Sequence, residues 1–289
     1  MSQAYTPKKY GFTQVDVFAH TALGGNPLAV VHSAHDLTTE QMQAFARWTN
    51  LSETTFLLPP TSPEADYKVR IFTPSQEFIF AGHPTLGSAF SWLHAGGTPR
   101  NEGVVVQECG IGNVSVKISG NTLAFAAPPL QRSGTVAADL LADIATALRI
   151  TPDDIVASNW IDNGPGWTGV LLRSGAEVLN FSPDFAAMGD LKLAVAGAYP
   201  ANSAEKASGI DYEVRALIPD AGLGEDPVTG SANAGLAQWL IAAGHAPREY
   251  VARQGTVIGY NGRVFISADD DNIWVGGTVI PTITGTVHI

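Results

Sequence analysis

The sequence contains one cysteine, few positive charges and no long apolar run. A lone cysteine, Cys109, excludes an internal disulfide and a cysteine-rich metal site, so we expect no metal ion. Lys and Arg total 16 against 27 Asp and Glu, giving a net charge of −11. No basic stripe is present to neutralise phosphates, which argues against a nucleic-acid partner. No stretch approaches the roughly 18 apolar residues of a membrane-spanning helix, so we expect no membrane partner.

Two further absences bear on location and cofactors. The polar segment 1–10 has no apolar run after its two lysines, unlike a signal peptide, and this favours a cytoplasmic protein. Neither a GxGxxG nor a GxxxxGK[ST] phrase occurs, so the usual reason to expect a nucleotide cofactor is missing.

The length and composition indicate a two-domain globular protein. A chain of 289 residues with 45% hydrophobic and 15% charged residues exceeds the usual size of one hydrophobic core. The best boundary is Pro128-Pro129, which divides the chain into residues 1–128 and 129–289. The last strand can return to the first half.

A repeated phrase is the strongest pattern in the chain. Residues 82–89 (GHPTLGSA) recur as residues 225–232 (EDPVTGSA), with Pro, Gly, Ser and Ala at matching positions. A Val-Arg pair followed four residues later by Pro precedes each copy, at 69–74 and 214–219. Two ordered matches at nearly one offset favour duplication. They predict two pseudo-symmetric halves, each presenting a polar loop and a helix start to a shared cleft.

The remaining pattern predicts an α+β fold. Each half contains many short alternating strands and few helices, which is typical of α+β rather than of a doubly wound parallel sheet. Thr38 and Gln41 form a capping-box sequence that predicts a helix ending near Trp48. Helices are predicted to follow both repeated phrases, from Pro84 and from about Val228. The chain is predicted to end with separate strands near 272–276 and 283–288.

The two repeated phrases differ at the position before their proline, where one has His83 and the other Asp226. Asp226 lies where a helix N-cap belongs, so capping alone explains it, and an exposed loop histidine is common. Together, however, a base-capable His and an Asp in two copies of one loop suggest residues that face a common substrate.

Small residues in the phrases favour a carboxylate site. Gly82, Gly87 and Gly230 allow close backbone approach, and unpaired N–H groups at a helix start attract anions. Ser231 adds a hydroxyl hydrogen bond. The alternative interpretation is that these small residues only permit tight helix packing.

Glu53 is the third candidate for chemistry. In a strand, Leu51, Glu53, Thr55 and Leu57 lie on one face, so the carboxylate points the same way as two leucines. Desolvation on such a face would raise the pKa of Glu53 towards the range useful for proton transfer. A surface Glu on an edge strand remains the alternative.

Six short phrases occur in order over nearly the whole chain: 16–18 (DVF), 25–27 (GNP), 29–31 (AVV), 51–54 (LSET), 80–84 (FAGHP) and 224–232 (GEDPVTGSA). In these phrases and their order, the chain resembles the phenazine-biosynthesis isomerase (PhzF-like) family. The resemblance implies a diaminopimelate-epimerase-like fold, in which each half is a curled mixed β-sheet around a central helix and the site lies between the halves. It also implies that no cofactor is needed and that the protein is a homodimer.

The resemblance also implies roles for individual residues. The family's phenazine enzyme isomerises dihydro-hydroxyanthranilate by moving a proton, with the glutamate of its Ser-Glu-Thr phrase as acid and base. That role falls on Glu53, and the family's His, Asp and Ser correspond to His83, Asp226 and Ser231. Related epimerases on this fold use two cysteines as opposed bases. Here Ala81 stands near the first of these positions and Glu225 or Asp226 near the second, which excludes two-thiol racemisation.

The sequence thus predicts a cofactor-independent isomerase that moves a proton on a small carboxylate-bearing metabolite. Cyclic compounds similar to dihydro-hydroxyanthranilate belong to this class of metabolite. Glu53, His83 and Asp226 are the predicted catalytic residues, and Gly82, Gly230 and Ser231 the predicted substrate-binding ones. Two alternatives remain open: a catalytically silent small-molecule binding protein of the same fold, and an epimerase that uses carboxylate bases.

Overall fold

A computed structural model describes residues 7–219 and 224–289 of the chain. Part of the polar N-terminal segment on which the prediction about a signal peptide depends, residues 1–6, lies outside the described residues. The described chain divides into two compact units. The first comprises residues 7–17, 27–125 and 278–289, and the second comprises residues 18–26 and 126–277.

The first unit is a mixed sheet with helices on its faces. Its elements are β1 Lys9–Val17, β2 Asn26–Val31, α1 Thr39–Thr49, β3 Glu53–Leu58, β4 Tyr67–Phe72, β5 Glu77–Phe78, α2 Gly82–His94, β6 Val104–Cys109, β7 Gly112–Ser119 and β8 Thr122–Ala126. The first residue of β2, Asn26, and the last residue of β8, Ala126, belong to the second unit. Residues 279–288 of the last strand pair antiparallel with β1. The pairs β2–β3 and β4–β6 are parallel, whereas β3–β4, β6–β7 and β7–β8 are antiparallel.

The alternation of side chains along β3 separates two environments in this unit. Phe56 joins the apolar cluster under α1 that includes Met42 and Phe72. Thr55, one residue earlier, points to the opposite face and accepts a hydrogen bond from Ser88 of α2 at 2.9 Å. Glu53 shares the Thr55 face because strand side chains alternate with a period of two. The strand therefore directs the Glu53 carboxyl towards α2.

The second unit is also a mixed sheet. Its elements are β9 Arg132–Gly134, α3 Ala138–Leu148, β10 Ile155–Asp162, β11 Trp167–Leu172, α4 Gly175–Asn180, α5 Phe185–Met188, β12 Lys192–Ala198, α6 Ala204–Ala207, β13 Tyr212–Ile218, β14 Gly224–Asp226, α7 Gly230–Ala242, β15 Glu249–Gln254, β16 Gly262–Ala268 and the start of β17 Ile273–His288. Short 3-10 turns lie at Pro152–Asp154 and Thr256–Ile258.

The pairings of the second unit follow the same order as those of the first. The pairs β11–β12 and β13–β15 are parallel, and β12–β13, β15–β16 and β16–β17 are antiparallel. One face of this sheet packs its apolar side chains against α3, α4 and α5. The chain is accordingly a mixed α/β protein in which a helix of 13 residues, α2 or α7, occurs in each unit.

Several predicted elements occur with shifted boundaries. The helix predicted from Thr38 is α1, and both hydrogen bonds of its capping box are formed. The two strands predicted at the end of the chain are one continuous strand, β17, so their separation was wrong. The prediction also missed β12, whose buried run of small and apolar residues shows no alternation because both faces of the strand are covered.

Close packing of α7 on the sheet gives a stability prediction. A Cβ at Gly235 would lie 2.5 Å from the backbone carbonyl oxygen of Ile161, and backbone cannot move away as a flexible side chain can. We expect Gly235→Ala to lower the free energy of unfolding by about 1–3 kcal/mol, measured by urea denaturation. Gly285→Ala is the control, because nothing lies within 4 Å of a Cβ there. Equal stability of the two variants would contradict the packing argument.

Candidate active site

Glu53 and His83 are brought together in the first unit. Glu53 is the first residue of β3, and His83 is the second residue of α2. The His83 Nε2 atom lies 3.5 Å from Glu53 Oε2, and both side chains are largely buried. The Ser88–Thr55 hydrogen bond joins the same helix to the same strand face and so holds α2 against β3 near the two titratable groups.

Burial decides the protonation state of His83. Desolvation lowers the pKa of the ring from its ordinary value of 6.5 to about 3, although a hydrogen bond to the Pro27 carbonyl acts in the opposite direction. His83 Nε2 makes no hydrogen bond to a described residue, so the N–H that Pro27 accepts is on Nδ1. The imidazole is neutral, and its Nε2 lone pair faces the Glu53 carboxyl group. It can accept a hydrogen bond from the Glu53 carboxyl group once that group has taken up a proton, and so keep the proton on Glu53.

Asp226 lies in the second unit, at the end of β14. Its Oδ1 accepts a hydrogen bond from Asn26 Nδ2 at 3.2 Å, and its Oδ2 accepts one from Thr229 Oγ1 at 2.5 Å. Burial raises the pKa of Asp226 from 3.8 to about 6, with the adjacent Glu225 charge also raising it and the two hydrogen bonds lowering it. A carboxyl group that titrates near neutrality can act as either acid or base.

A buried glutamine that was not predicted from the sequence contacts the segment 226–229. Gln254, fully buried at the end of β15, donates to the Asp226 carbonyl and to Thr229 Oγ1, both at 3.0 Å. Its Oε1 accepts from the Thr229 N–H at 3.1 Å and from Asn233 Nδ2 at 2.8 Å. No signal in the sequence indicates this role, because β15 is a mixed strand of polar and apolar residues and Gln254 is its last residue.

Ser231 is the second residue of α7. Its Oγ accepts a hydrogen bond from Trp167 Nε1 at 2.9 Å, and its backbone carbonyl accepts one from Asn163 Nδ2 at 2.9 Å. Gly82 and Gly230 are the first residues of α2 and α7, where backbone N–H groups have no intrahelical acceptor. The three predicted binding residues therefore lie at helix N-termini, whose dipoles favour an anion.

The prediction that Asp226 lies at the N-cap of a helix was wrong. The helix α7 begins at Gly230 with Thr229 as its N-cap, because antiparallel pairing of Ala216 with Asp226 keeps the latter in a strand. His83, by contrast, lies inside the first turn of α2. Counted from the helix starts, the residue equivalent to His83 is Ser231. The repeated sequence phrase and the structural elements are thus out of register.

Glu225 and Asp226 have different environments although they are adjacent. Glu225 is buried and forms a bidentate ion pair with buried Arg215, whose closest contact is 2.7 Å. Arg215 also donates to the Phe181 carbonyl at 2.7 Å. Of these two adjacent carboxylates, Glu225 is therefore occupied by an ion pair, whereas Asp226 accepts hydrogen bonds only from uncharged side chains.

The part of the chain that the structure describes contains neither a cluster of metal-ligating side chains nor a helix able to cross a membrane. Across residues 7–219 and 224–289, no group of three or more His, Cys, Asp or Glu side chains is arranged to hold a metal ion. Among the helices of the same ranges, none has the length and apolar character that a membrane crossing requires.

Comparison with known proteins identifies relatives along the whole chain. A family model described as "Phenazine biosynthesis-like protein" (PhzC-PhzF) matches residues 15–285. Trans-2,3-dihydro-3-hydroxyanthranilate isomerase of Pseudomonas aeruginosa is 31% identical over 266 residues, covering 89% of this chain and 90% of its own. Antisense-enhancing sequence 1 of Schizosaccharomyces pombe is 32% identical over 304 residues, which cover 97% of this chain and 99% of that protein.

A solved structure shows the same fold. The crystal structure of a phenazine biosynthesis protein of the PhzF family from Enterococcus faecalis aligns with a TM-score of 0.79 and 24% identity. The alignment covers 98% of this chain and all of that one.

Proposed function

The chain is an isomerase of the phenazine biosynthesis-like (PhzC-PhzF) family, and we propose that it moves a proton between two carbons of a small carboxylate-bearing metabolite by general acid–base catalysis. The observation that supports this most directly is the 3.5 Å approach of Glu53 to a neutral imidazole. A carboxylate beside a neutral acceptor can take up a proton, hold it and return it.

Glu53 is the proposed acid and base. Its carboxylate takes a proton from one carbon, and the electron pair of that C–H bond shifts into the adjacent π system. The Glu53 carboxyl group exchanges its proton with solvent and then delivers a proton to a second carbon. No oxidant or reductant is consumed, because the electrons stay in the substrate. His83 holds the transferred proton in place through Nε2, since its own N–H is committed to Pro27. Proton transfer by one positioned group typically contributes about 10²–10⁴-fold.

Asp226 is the proposed second titratable group. With a pKa of about 6, it exists in both protonation states near neutral pH and can relay a proton or hold a substrate donor. Asn26 and Thr229 fix both of its oxygens, so its orientation is set before any ligand arrives.

The substrate carboxylate is proposed to bind N–H groups at Gly82 and Gly230 and the hydroxyl of Ser231. A net charge of −11 opposes long-range attraction of an anion, so local donors have to supply the affinity. Relatives such as the Pseudomonas aeruginosa enzyme are named for trans-2,3-dihydro-3-hydroxyanthranilate, which carries such a carboxylate. We propose a substrate of this class.

The rest of the proposal comes from the sequence and the family. Two pseudo-symmetric halves are supported by the shared order of strand pairings in the two units. That Glu53 and His83 act on the same substrate as Asp226 and Ser231 is inferred from the duplicated phrases. Independence of cofactors, a homodimer and a cytoplasmic location stay predictions.

Isotope exchange tests the proposed function. The protein is incubated in deuterated water with trans-2,3-dihydro-3-hydroxyanthranilate, and carbon-bound deuterium is followed by NMR and mass spectrometry. We expect deuterium at the carbon that gains the proton, with a shifted double bond. Bound but unlabelled substrate would identify a silent binding protein, and inversion at a stereocentre without a double-bond shift would identify an epimerase. Either result would overturn the proposal.

A further inference from the structure

The side chain that binds Ser231 can act only as a donor. Indole has one N–H and no acceptor, so the 2.9 Å contact requires Trp167 to donate and Ser231 Oγ to accept. The Ser231 hydroxyl proton must then point elsewhere, and no residue in the described ranges accepts it. Ser231 is consequently held as a hydrogen-bond donor beside the free N–H groups at the start of α7.

The hairpin between β10 and β11 holds Trp167 in contact with Ser231. Asp162 Oδ1 accepts from the N–H groups of Gly164 and Gly166, both at 2.7 Å, which closes a tight turn. The turn places Asn163 and Trp167 against the same residue of α7, where they bind the Ser231 carbonyl and hydroxyl. Trp167 is 1% exposed, so its indole N–H is shielded from competing water molecules.

We propose that Trp167 is a positioning residue that determines specificity for a carboxylate. This inference rests on the proposed role of Ser231 in substrate binding. The N–H groups of this site donate, and Trp167 occupies one of the two lone pairs of the Ser231 hydroxyl, so the site favours a ligand group that only accepts. A carboxylate meets that condition, whereas a carboxamide presents N–H groups to which the fixed Ser231 oxygen offers little acceptor capacity.

Binding of a matched ligand pair tests the proposal. Dissociation constants for anthranilate and anthranilamide are measured by calorimetry on the wild type and on Trp167→Phe. We expect the wild type to prefer anthranilate and Trp167→Phe to lose about tenfold or more of that preference, because Ser231 can then rotate and accept from the amide. An unchanged preference in Trp167→Phe, or no preference in the wild type, would overturn the proposal.

A matched control separates the hydrogen bond from loss of ring volume. Trp239 lies in α7 of the same unit, is 8% exposed, and its indole makes no hydrogen bond to a described residue. Trp239→Phe should keep the wild-type preference. Ser231→Ala should lose it, and the double variant Trp167→Phe/Ser231→Ala should lose no more than Ser231→Ala, since both changes remove one interaction.

A second measurement does not depend on the folding of Trp167→Phe. The indole N–H resonance of Trp167, assigned in ¹⁵N-labelled protein, should shift and exchange faster with solvent in Ser231→Ala. An unaltered resonance would overturn the proposed contact. Absence of deuterium incorporation in the wild type would instead overturn the proposed isomerase function, while the carboxylate preference and its dependence on Trp167 would be unaffected.

Discussion

Glu53→Gln is expected to slow proton transfer by at least about 10²–10⁴-fold, the usual contribution of a positioned general acid or base. Glutamine matches glutamate in size, and its amide can donate to His83 Nε2, so the local packing of β3 against α2 is kept. The amide cannot accept a proton from carbon. The measurement is the rate of deuterium incorporation in Glu53→Gln and wild type at equal substrate occupancy.

An exposed glutamate of the same unit provides the control. Glu64 is exposed, and Glu64→Gln should keep the wild-type exchange rate and stability. Near-normal turnover in Glu53→Gln would show that another group removes the proton. Equal losses in both variants would show that the effect is not specific to Glu53.

Opposing stability responses to pH are expected from His83 and Asp226. The pKa of His83 is about 3 in the folded chain against 6.5 ordinarily, so the unfolded state binds more protons there and stability falls as pH falls below 6.5. The pKa of Asp226 is about 6 against 3.8, so the folded state binds more protons there and stability rises as pH falls through 6. Between pH 6 and 4 the two contributions cancel.

Single variants should separate the effects of His83 and Asp226 on the pH dependence of stability. In Asp226→Asn only the contribution of His83 to the pH dependence remains. As the pH is lowered from 6 to 4, the free energy of unfolding of this variant should fall relative to wild type by up to about 1.4 kcal/mol per pH unit. In His83→Asn, whose amide can still donate to Pro27, it should rise by a similar amount. Urea denaturation at pH 4, 5 and 6 measures both slopes. Parallel slopes in the two variants would contradict the assigned protonation states.

The sequence was sufficient to predict the direction of Glu53. Alternation along a strand is a local property, so residues 53–57 fix which side chains share a face, and the capping box before α1 is equally local. The inclusion of Leu51 in that strand was wrong, because β3 begins at Glu53. The start of α7 was not predictable in the same way. Pairing of β14 with β13 keeps the chain in a strand as far as Asp226. Because of this pairing between separate segments, the helix begins only at Gly230.

Partners remote in sequence account for the other omissions. Gln254 reaches Asp226 and Thr229 from a strand some 25 residues later. Trp167 reaches Ser231 across 64 residues. Neither residue type indicates its role, because a buried glutamine or tryptophan is explained as well by packing. The types of the site residues were thus visible in the sequence, whereas the groups that orient them became visible only in the structure.

The pairing of β1 with residues 279–288 has a consequence for the order of events during synthesis. Residues 126–277, most of the second unit, leave the ribosome before the partner of β1 has been made. The unit that contains Glu53 and His83 can therefore complete its sheet only after translation has passed residue 288. The unit that contains Asp226 has all of its residues once translation has passed residue 277. A nascent chain would therefore close the sheet of the first unit last, although β3 and α2, which contain Glu53 and His83, are made before α7.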